Sequence, residues 1–148
     1  TASEMHDAFF SYFNDSDMIV MAAAVADFTP ENIALQKIKK SESELTVKLK
    51  KTKDILSKAG EMKTGKQVLV GFALETENEK SNALKKLHTK NADLIVLNSL
   101  NDDGAGFGYD TNKITIFNKK GEEQIFEKKS KKEVAADIVN AIINFKNE

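Results

Sequence analysis

The chain has 148 residues, the size of one domain that buries a core of its own. Its 22 basic and 23 acidic residues nearly cancel, which leaves no basic footprint for a nucleic acid partner. The absence of cysteine excludes disulfides, zinc–thiolate sites and thiol nucleophiles and suits a cytoplasmic location; no apolar run nears the ~20 residues that would span a membrane.

Every basic residue is lysine, so an anion must be held by ammonium groups, backbone N–H groups and helix ends rather than by guanidinium forks. Residues 2–14 carry Met5, Phe9 and Phe13 at helical spacing and read as an amphipathic helix. Met18–Ala26, MIVMAAAVA, is a continuous apolar run of the kind expected of a strand buried on both faces. Asp27 follows it, and Pro30 marks a loop. The polar stretch beyond, to Ser43, holds the lysine run QKIKK at 36–40. Leu45–Leu49 alternates as a half-exposed strand does, and a short helix is expected near Asp54–Ala59.

Val68–Leu74, VLVGFAL, is a second buried strand. Glu75–Lys90 reads as a helix with Ala83, Leu84 and Leu87 inward, and Asp93–Asn98, DLIVLN, as a third buried strand. Lys113–Phe117 and Gln124–Glu127, joined through Gly121, form an expected antiparallel hairpin, and Val134–Phe145 closes the chain as a helix. Strands alternating with helices predict an α/β domain with a mostly parallel sheet and an antiparallel edge. The three apolar runs should be adjacent parallel strands. A doubly wound sheet usually opens on a strand and a phosphate loop. This chain opens in a helix, so its first strand-loop-helix unit is expected to be missing.

Ligands of such sheets bind beyond the carboxyl ends of the strands. That position selects Asp27, Phe72–Thr76 and Asn98. Asp27 fits a ligand contact or a loop-capping carboxylate equally well. The QKIKK lysines, and the pair Lys86 and Lys90 on one helix face, fit an anion site or a solvated charged surface. Gly71 would let a ligand approach the backbone, and a helix start near Thr76 would offer N–H donors. GAGFG at 104–108 leads into a strand rather than a helix and reads as a connection, not a phosphate loop. His6 and His88 lack partners at ligand spacing.

Six segments in order, AAAVADFTP (22–30), QKIKK (36–40), KDIL (53–56), VGFALET (70–76), Ala83 with Lys86 and Lys90, and DLIVLN (93–98), resemble the synthetase domain of the bacterial phosphopantothenoylcysteine decarboxylase/synthetase fusion. The resemblance covers nearly the whole chain. It implies a homodimeric, Rossmann-like, three-layer domain with phosphopantothenate–cysteine ligase activity in coenzyme A biosynthesis. The substrates would be 4'-phosphopantothenate, cysteine and CTP, with Mg2+, and FMN would belong only to the fused decarboxylase domain. Matched position by position, it implies nucleotide contacts at Ala23, Ala24 and Asp27, with Asp27 also a candidate Mg2+ contact. Lys37 matches the catalytic lysine of a flap, and Lys53, Asp54, Ile55 and Leu56 match a nucleotide-contacting turn. Phe72 matches the base pocket, and Lys86 and Lys90 match nucleotide-binding lysines. The chain departs from the family at Thr52-Lys53-Asp54, where Asn-Pro-Asp is common. A non-catalytic nucleotide-binding or dimerisation module, and the same ligase using ATP, are the alternatives.

Overall fold

The computed structural model describes residues 1–34, 36–38, 45–99 and 108–147. Its centre is a five-stranded sheet in the order β1 (Met18–Met21), β4 (Val68–Glu75), β5 (Leu94–Ser99), β7 (Ile114–Asn118) and β8 (Glu123–Ile125). The first three strands are parallel, with Val20 opposite Val70 and Val70 opposite Leu94. β7 and β8 form the antiparallel edge hairpin, turning through Gly121 at φ +90°, where glycine carries no Cβ penalty.

Alternation along the strands sorts their side chains onto two faces. Val68, Val70, Leu94, Val96, Ile114 and Ile116 pack against Val134, Ile138, Ala141 and Ile142 of α4 (Lys131–Asn147). On the other face, Ala73, Ile95, Leu97 and Phe117 meet Ala83 and Leu87 of α3 (Glu79–Thr89). Leu69 on that same face meets Ala59 of α2 (Ile55–Met62), Ile19, and Phe13 just beyond α1 (Ala2–Tyr12). The result is a three-layer, Rossmann-like α/β domain. β4 and β5 are buried on both faces because each lies between two strands and two helical layers.

Several sequence expectations need correction. The run Met18–Ala26 is a strand only to Met21, and it borders the described sheet; Met18 and Val20 are exposed. Ala22–Ala26 leaves the sheet because nothing continues the ladder beyond Met21 opposite Gly71. The alternating Leu45–Leu49 is strand only from Leu49. β3 (Leu49–Lys51) pairs with β2 (Phe28–Pro30) in a separate two-stranded ladder, so Pro30 ends a strand rather than marking a loop. A third small ladder joins β6 (Thr111–Asn112) to β9 (Lys129–Ser130). Glu75 belongs to β4, and α3 begins only at Glu79, after Asn78 turns through φ +48°. The N–H donors expected near Thr76 are therefore not a helix start. Lys39 and Lys40 of the lysine run, and residues 104–107 of the glycine-rich stretch, lie outside the described residues.

Gly71 also has a different use. A Cβ there would lie 2.8 Å from Leu56 Cδ2 and 2.9 Å from Ile95 Cδ1. The missing side chain admits α2 and β5, not a ligand. Gly60, which the sequence reading passed over, is tighter: its Cβ would lie 1.9 Å from the Lys90 carbonyl oxygen. This is where α2 crosses the end of α3, and Asn91 Nδ2 donates to the Gly60 carbonyl at 2.7 Å.

Candidate ligand cleft

A cleft of about 520 Å³ opens at the carboxyl ends of the parallel strands. Three chain features build it. Ala22–Val25 forms one wall because the chain leaves β1 there. Phe72 and Leu74 of β4, with Asn98 of β5, form the floor. The turn Thr52–Leu56, which leads from β3 into α2, completes the lining with Lys86 and Lys90 of α3.

The turn holds its shape without the proline common in the resembling family. Asp54 caps α2, its Oδ1 accepting the Ser57 N–H at 2.9 Å. Thr52 donates its hydroxyl to the Ala26 carbonyl at 2.6 Å and its N–H to the Asp27 carbonyl at 2.9 Å. These bonds fasten the foot of the β2–β3 ladder to the cleft wall. The segment that carries Lys37 extends from the other end of that ladder.

The lysines are held in defined places. Lys90 Nζ lies 2.5 Å from Asp54 Oδ2, and Lys86 Nζ donates to the Phe72 carbonyl at 2.7 Å. α3 therefore delivers the Lys86 ammonium to the strand that carries Phe72 and the Lys90 ammonium to the turn before α2. Partial burial pushes the Asp54 carboxyl upward. The Lys90 hydrogen bond, the Ser57 amide and the charges of Lys90 and Lys86 outweigh it and hold Asp54 below the usual carboxylate range. With Lys53 and Lys131, four ammonium groups and two carboxylates, Asp27 and Asp54, are among the lining residues, and Lys53 also lies 3.8 Å from Asp7 Oδ1 outside the lining. Such a lining favours an anion.

Ala23, Ala24, Asp27, Lys53, Asp54, Ile55, Leu56, Phe72, Lys86 and Lys90 thus come together around one cleft. Lys37 does not; it is exposed and lies outside the lining. Asn98, selected from the sequence by its place at a strand end, lines the cleft, whereas Lys131 and Asn112, which also line it, were missed. Lys131 was within reach of sequence reasoning. Ser130 and Glu133 form a reciprocal capping pair, with Ser130 N–H donating to Glu133 Oε2 at 3.0 Å and Glu133 N–H to Ser130 Oγ at 3.3 Å. That Ser-x-x-Glu signature starts α4 three residues earlier than its apolar pattern does. Asn112 carried no such signal, because only the fold of β6 brings it to β5.

Among the described lining residues there is no histidine, serine or cysteine, and the Thr52 hydroxyl is committed to Ala26. Among the described residues no three acidic or histidine side chains converge as a metal-binding group. His6 contacts its neighbour Asp7 at 2.8 Å, away from the cleft lining. No helix among the described residues is long and apolar enough to cross a membrane.

A sheet of this topology, with lysines lining a cleft at its strand ends, defines a Rossmann-like α/β domain whose cleft has the charge to suit an anion. Residues 1–145 match the model of the DNA/pantothenate metabolism flavoprotein C-terminal domain. The chain belongs to that family. It is 45% identical over 142 residues to the coenzyme A biosynthesis bifunctional protein CoaBC of Bacillus subtilis, covering 96% of this chain and 35% of that protein. It is 50% identical over 143 residues to a protein of an unknown prokaryotic organism named cysteine/cysteine sulfinic acid decarboxylase, covering 97% of this chain and 40% of that protein. Among solved structures it is similar to the C-terminal domain of a CoaBC protein, with a TM-score of 0.79 and 34% identity over 100% of this chain and 64% of that one. The chain thus spans two fifths or less of the length of these curated relatives.

Proposed function

We propose that the chain is the larger part of a phosphopantothenate–cysteine ligase domain, acting in coenzyme A biosynthesis within a longer cytoplasmic protein. Its first strand-loop-helix unit and a flavin-binding decarboxylase domain, the holder of FMN, would lie outside these residues. The observation that carries the reading is the cleft: lysines around an aromatic and aliphatic floor, with no histidine, serine or cysteine among its described lining residues. A ligase that activates a carboxylate on a nucleotide needs that lining. The phosphopantothenate carboxylate attacks the α-phosphorus of CTP, and pyrophosphate leaves. The cysteine amine then attacks the acyl carbon, loses a proton and expels CMP, leaving the amide. The protein positions the substrates and offsets charge on the phosphates and the developing oxyanion.

In this reading Lys53, Lys86 and Lys90 hold the nucleotide with the backbone of Ala23, Ala24, Ile55 and Leu56, and Phe72 packs against the base. Lys37 acts from its loop on the activated intermediate. Asp27 suits a Mg2+ contact. Its carboxylate has no ion-pair partner among the described residues, and Mg2+ is commonly held by one or two carboxylates plus substrate phosphates. Mg2+ would supply charge neutralisation on the triphosphate. A homodimer is part of the same reading.

The test is CMP and pyrophosphate release by the full gene product given CTP, 4'-phosphopantothenate and cysteine. Release of CMP that requires both other substrates is expected. No release with either CTP or ATP would leave a non-catalytic binding module, and turnover with ATP alone would make this an ATP-dependent ligase.

A further inference from the structure

The cleft contains a hydrogen-bonded chain that the reading above does not use. It begins on the backbone. Lys113 N–H donates to Asn112 Oδ1 at 3.0 Å. An amide oxygen turned towards that N–H leaves Asn112 Nδ2 as the donor on its other side, and Nδ2 lies 2.9 Å from Asn98 Oδ1. Asn98 must accept there, so its own NH2 group points elsewhere. Asn112 is buried at 9% exposure, which holds it in place, while Asn98 is half-buried and lines the cleft. The Asn98 NH2 has no partner among the described residues, and no buried side-chain polar atom among them is left unpaired. That NH2 therefore opens on the cleft, as two donors of fixed orientation.

Its surroundings say what it would meet. Asn98 is opposite Leu74 in the β4–β5 register, and Phe72 is two residues back on the same face of β4. An aromatic ring and a leucine beside an oriented pair of N–H groups form a platform for a flat ring that carries acceptors along one edge. Cytosine carries two adjacent acceptors, the O2 carbonyl and N3. Adenine has no carbonyl.

We propose that Asn98 is a specificity-determining residue of the cleft, its NH2 reading the O2/N3 acceptor edge of a cytosine base, and that Asn112 is the positioning residue that keeps that NH2 turned outward. The inference rests on the nucleotide reading of the cleft and deepens it by assigning the choice of base. It makes a prediction specific to amide orientation. In Asn112→Asp the Lys113 N–H still finds an oxygen, but the introduced carboxylate has no donor for Asn98. Asn98 then turns over, gives its NH2 to that carboxylate and presents Oδ1 to the cleft, the wrong polarity for O2 and N3.

The experiment is calorimetric titration of the 148-residue chain, wild type and variants, with CTP and with ATP, after thermal melting shows that each variant folds. Wild type should prefer CTP. Asn98→Leu should lower CTP affinity about tenfold, the scale of a lost pair of neutral hydrogen bonds, with little change for ATP. Asn112→Asp should lower the CTP-to-ATP preference by a similar factor, and comparing the two nucleotides cancels its added negative charge. A preference for CTP that is unchanged in both variants overturns the role of Asn98 and leaves the nucleotide reading standing. Wild-type protein that binds neither nucleotide overturns that reading and this inference with it.

Discussion

Replacing Asp93 by asparagine should be among the most destabilising single-atom changes in this chain, and it acts far from the cleft. Asp93 is 1% exposed where the chain enters β5. Its Oδ2 accepts the Leu69 N–H at 2.8 Å and the Lys63 ammonium at 2.6 Å, and its Oδ1 lies 2.5 Å from Lys119 Nζ. One carboxylate thus ties the end of α2 to β4, β5 and the end of β7. Lys63 is itself only 8% exposed, so removing the negative charge leaves a buried ammonium without a counter-charge. Breaking such a pair costs roughly 3–5 kcal/mol. Lys119 is half-exposed and adds at most about 1 kcal/mol. Asparagine keeps an acceptor for Leu69, which preserves about 1 kcal/mol. The expected loss is therefore at least about 3 kcal/mol for Asp93→Asn and more for Asp93→Ala. Urea denaturation followed by circular dichroism reads it as a midpoint lowered by at least about 1.5 M at a slope of ~2 kcal/mol/M. Adding Lys63→Met to Asp93→Asn should recover much of the loss, since the stranded charge is then gone. A loss under about 1 kcal/mol, or a double variant no better than the single one, would refute the reasoning. The pH dependence supplies an independent check. Burial pushes the Asp93 carboxyl up, but the Leu69 amide, Lys119 and Lys63 together hold it below its ordinary value. A folded-state pKa below the unfolded ~3.9 contributes stability that is complete above that value and is lost as pH falls through the folded one. The gap between wild type and Asp93→Asn should accordingly be full at pH 7 and close in acid below about pH 4.

Gly60→Ala should destabilise by about 3 kcal/mol or more in thermal melts, because its Cβ meets a backbone oxygen at 1.9 Å. Gly71→Ala should cost less, since the atoms it meets at 2.8 and 2.9 Å are the ends of Leu56 and Ile95 side chains that can yield. In CTP-dependent ligase assays of the full gene product, Lys86→Ala or Lys90→Ala should raise the KM for CTP about tenfold, the scale of one charge-assisted contact, and leave the cysteine KM nearly unchanged. Wild-type CTP kinetics in both at low salt would remove these lysines from the site. Lys37→Gln should lower kcat far more than it weakens CTP binding, as expected of a charge acting on the intermediate and transition state; an equal loss in both would assign it to ground-state binding.

Uniform apolar runs at Val68–Leu74 and Asp93–Asn98 marked strands covered on both sides, and the structure buries both. The same argument failed at Met18–Ala26, because a run of alanines and valines reads alike in a central strand, a border strand and an apolar cleft wall. Strand and helix boundaries near Glu75 were equally hidden. The break depends on Asn78 adopting a left-handed conformation, and the neighbouring glutamates and threonine carry no apolar period.

Periodicity and the order of segments in the sequence were enough for the α/β class, the three adjacent parallel strands, the edge hairpin and a family resemblance, because these follow from local pattern and chain order. Tertiary structure alone decided which charges line the cleft. Lys90 meets Asp54, and Lys86 meets the Phe72 carbonyl, across 36 and 14 positions of chain. Gly71 proved to admit Leu56 and Ile95 rather than a ligand, and Asn98 gained its orientation from Asn112 on a strand that pairs elsewhere. Such pairings depend on how the chain folds back on itself in space, and no local period encodes that distance.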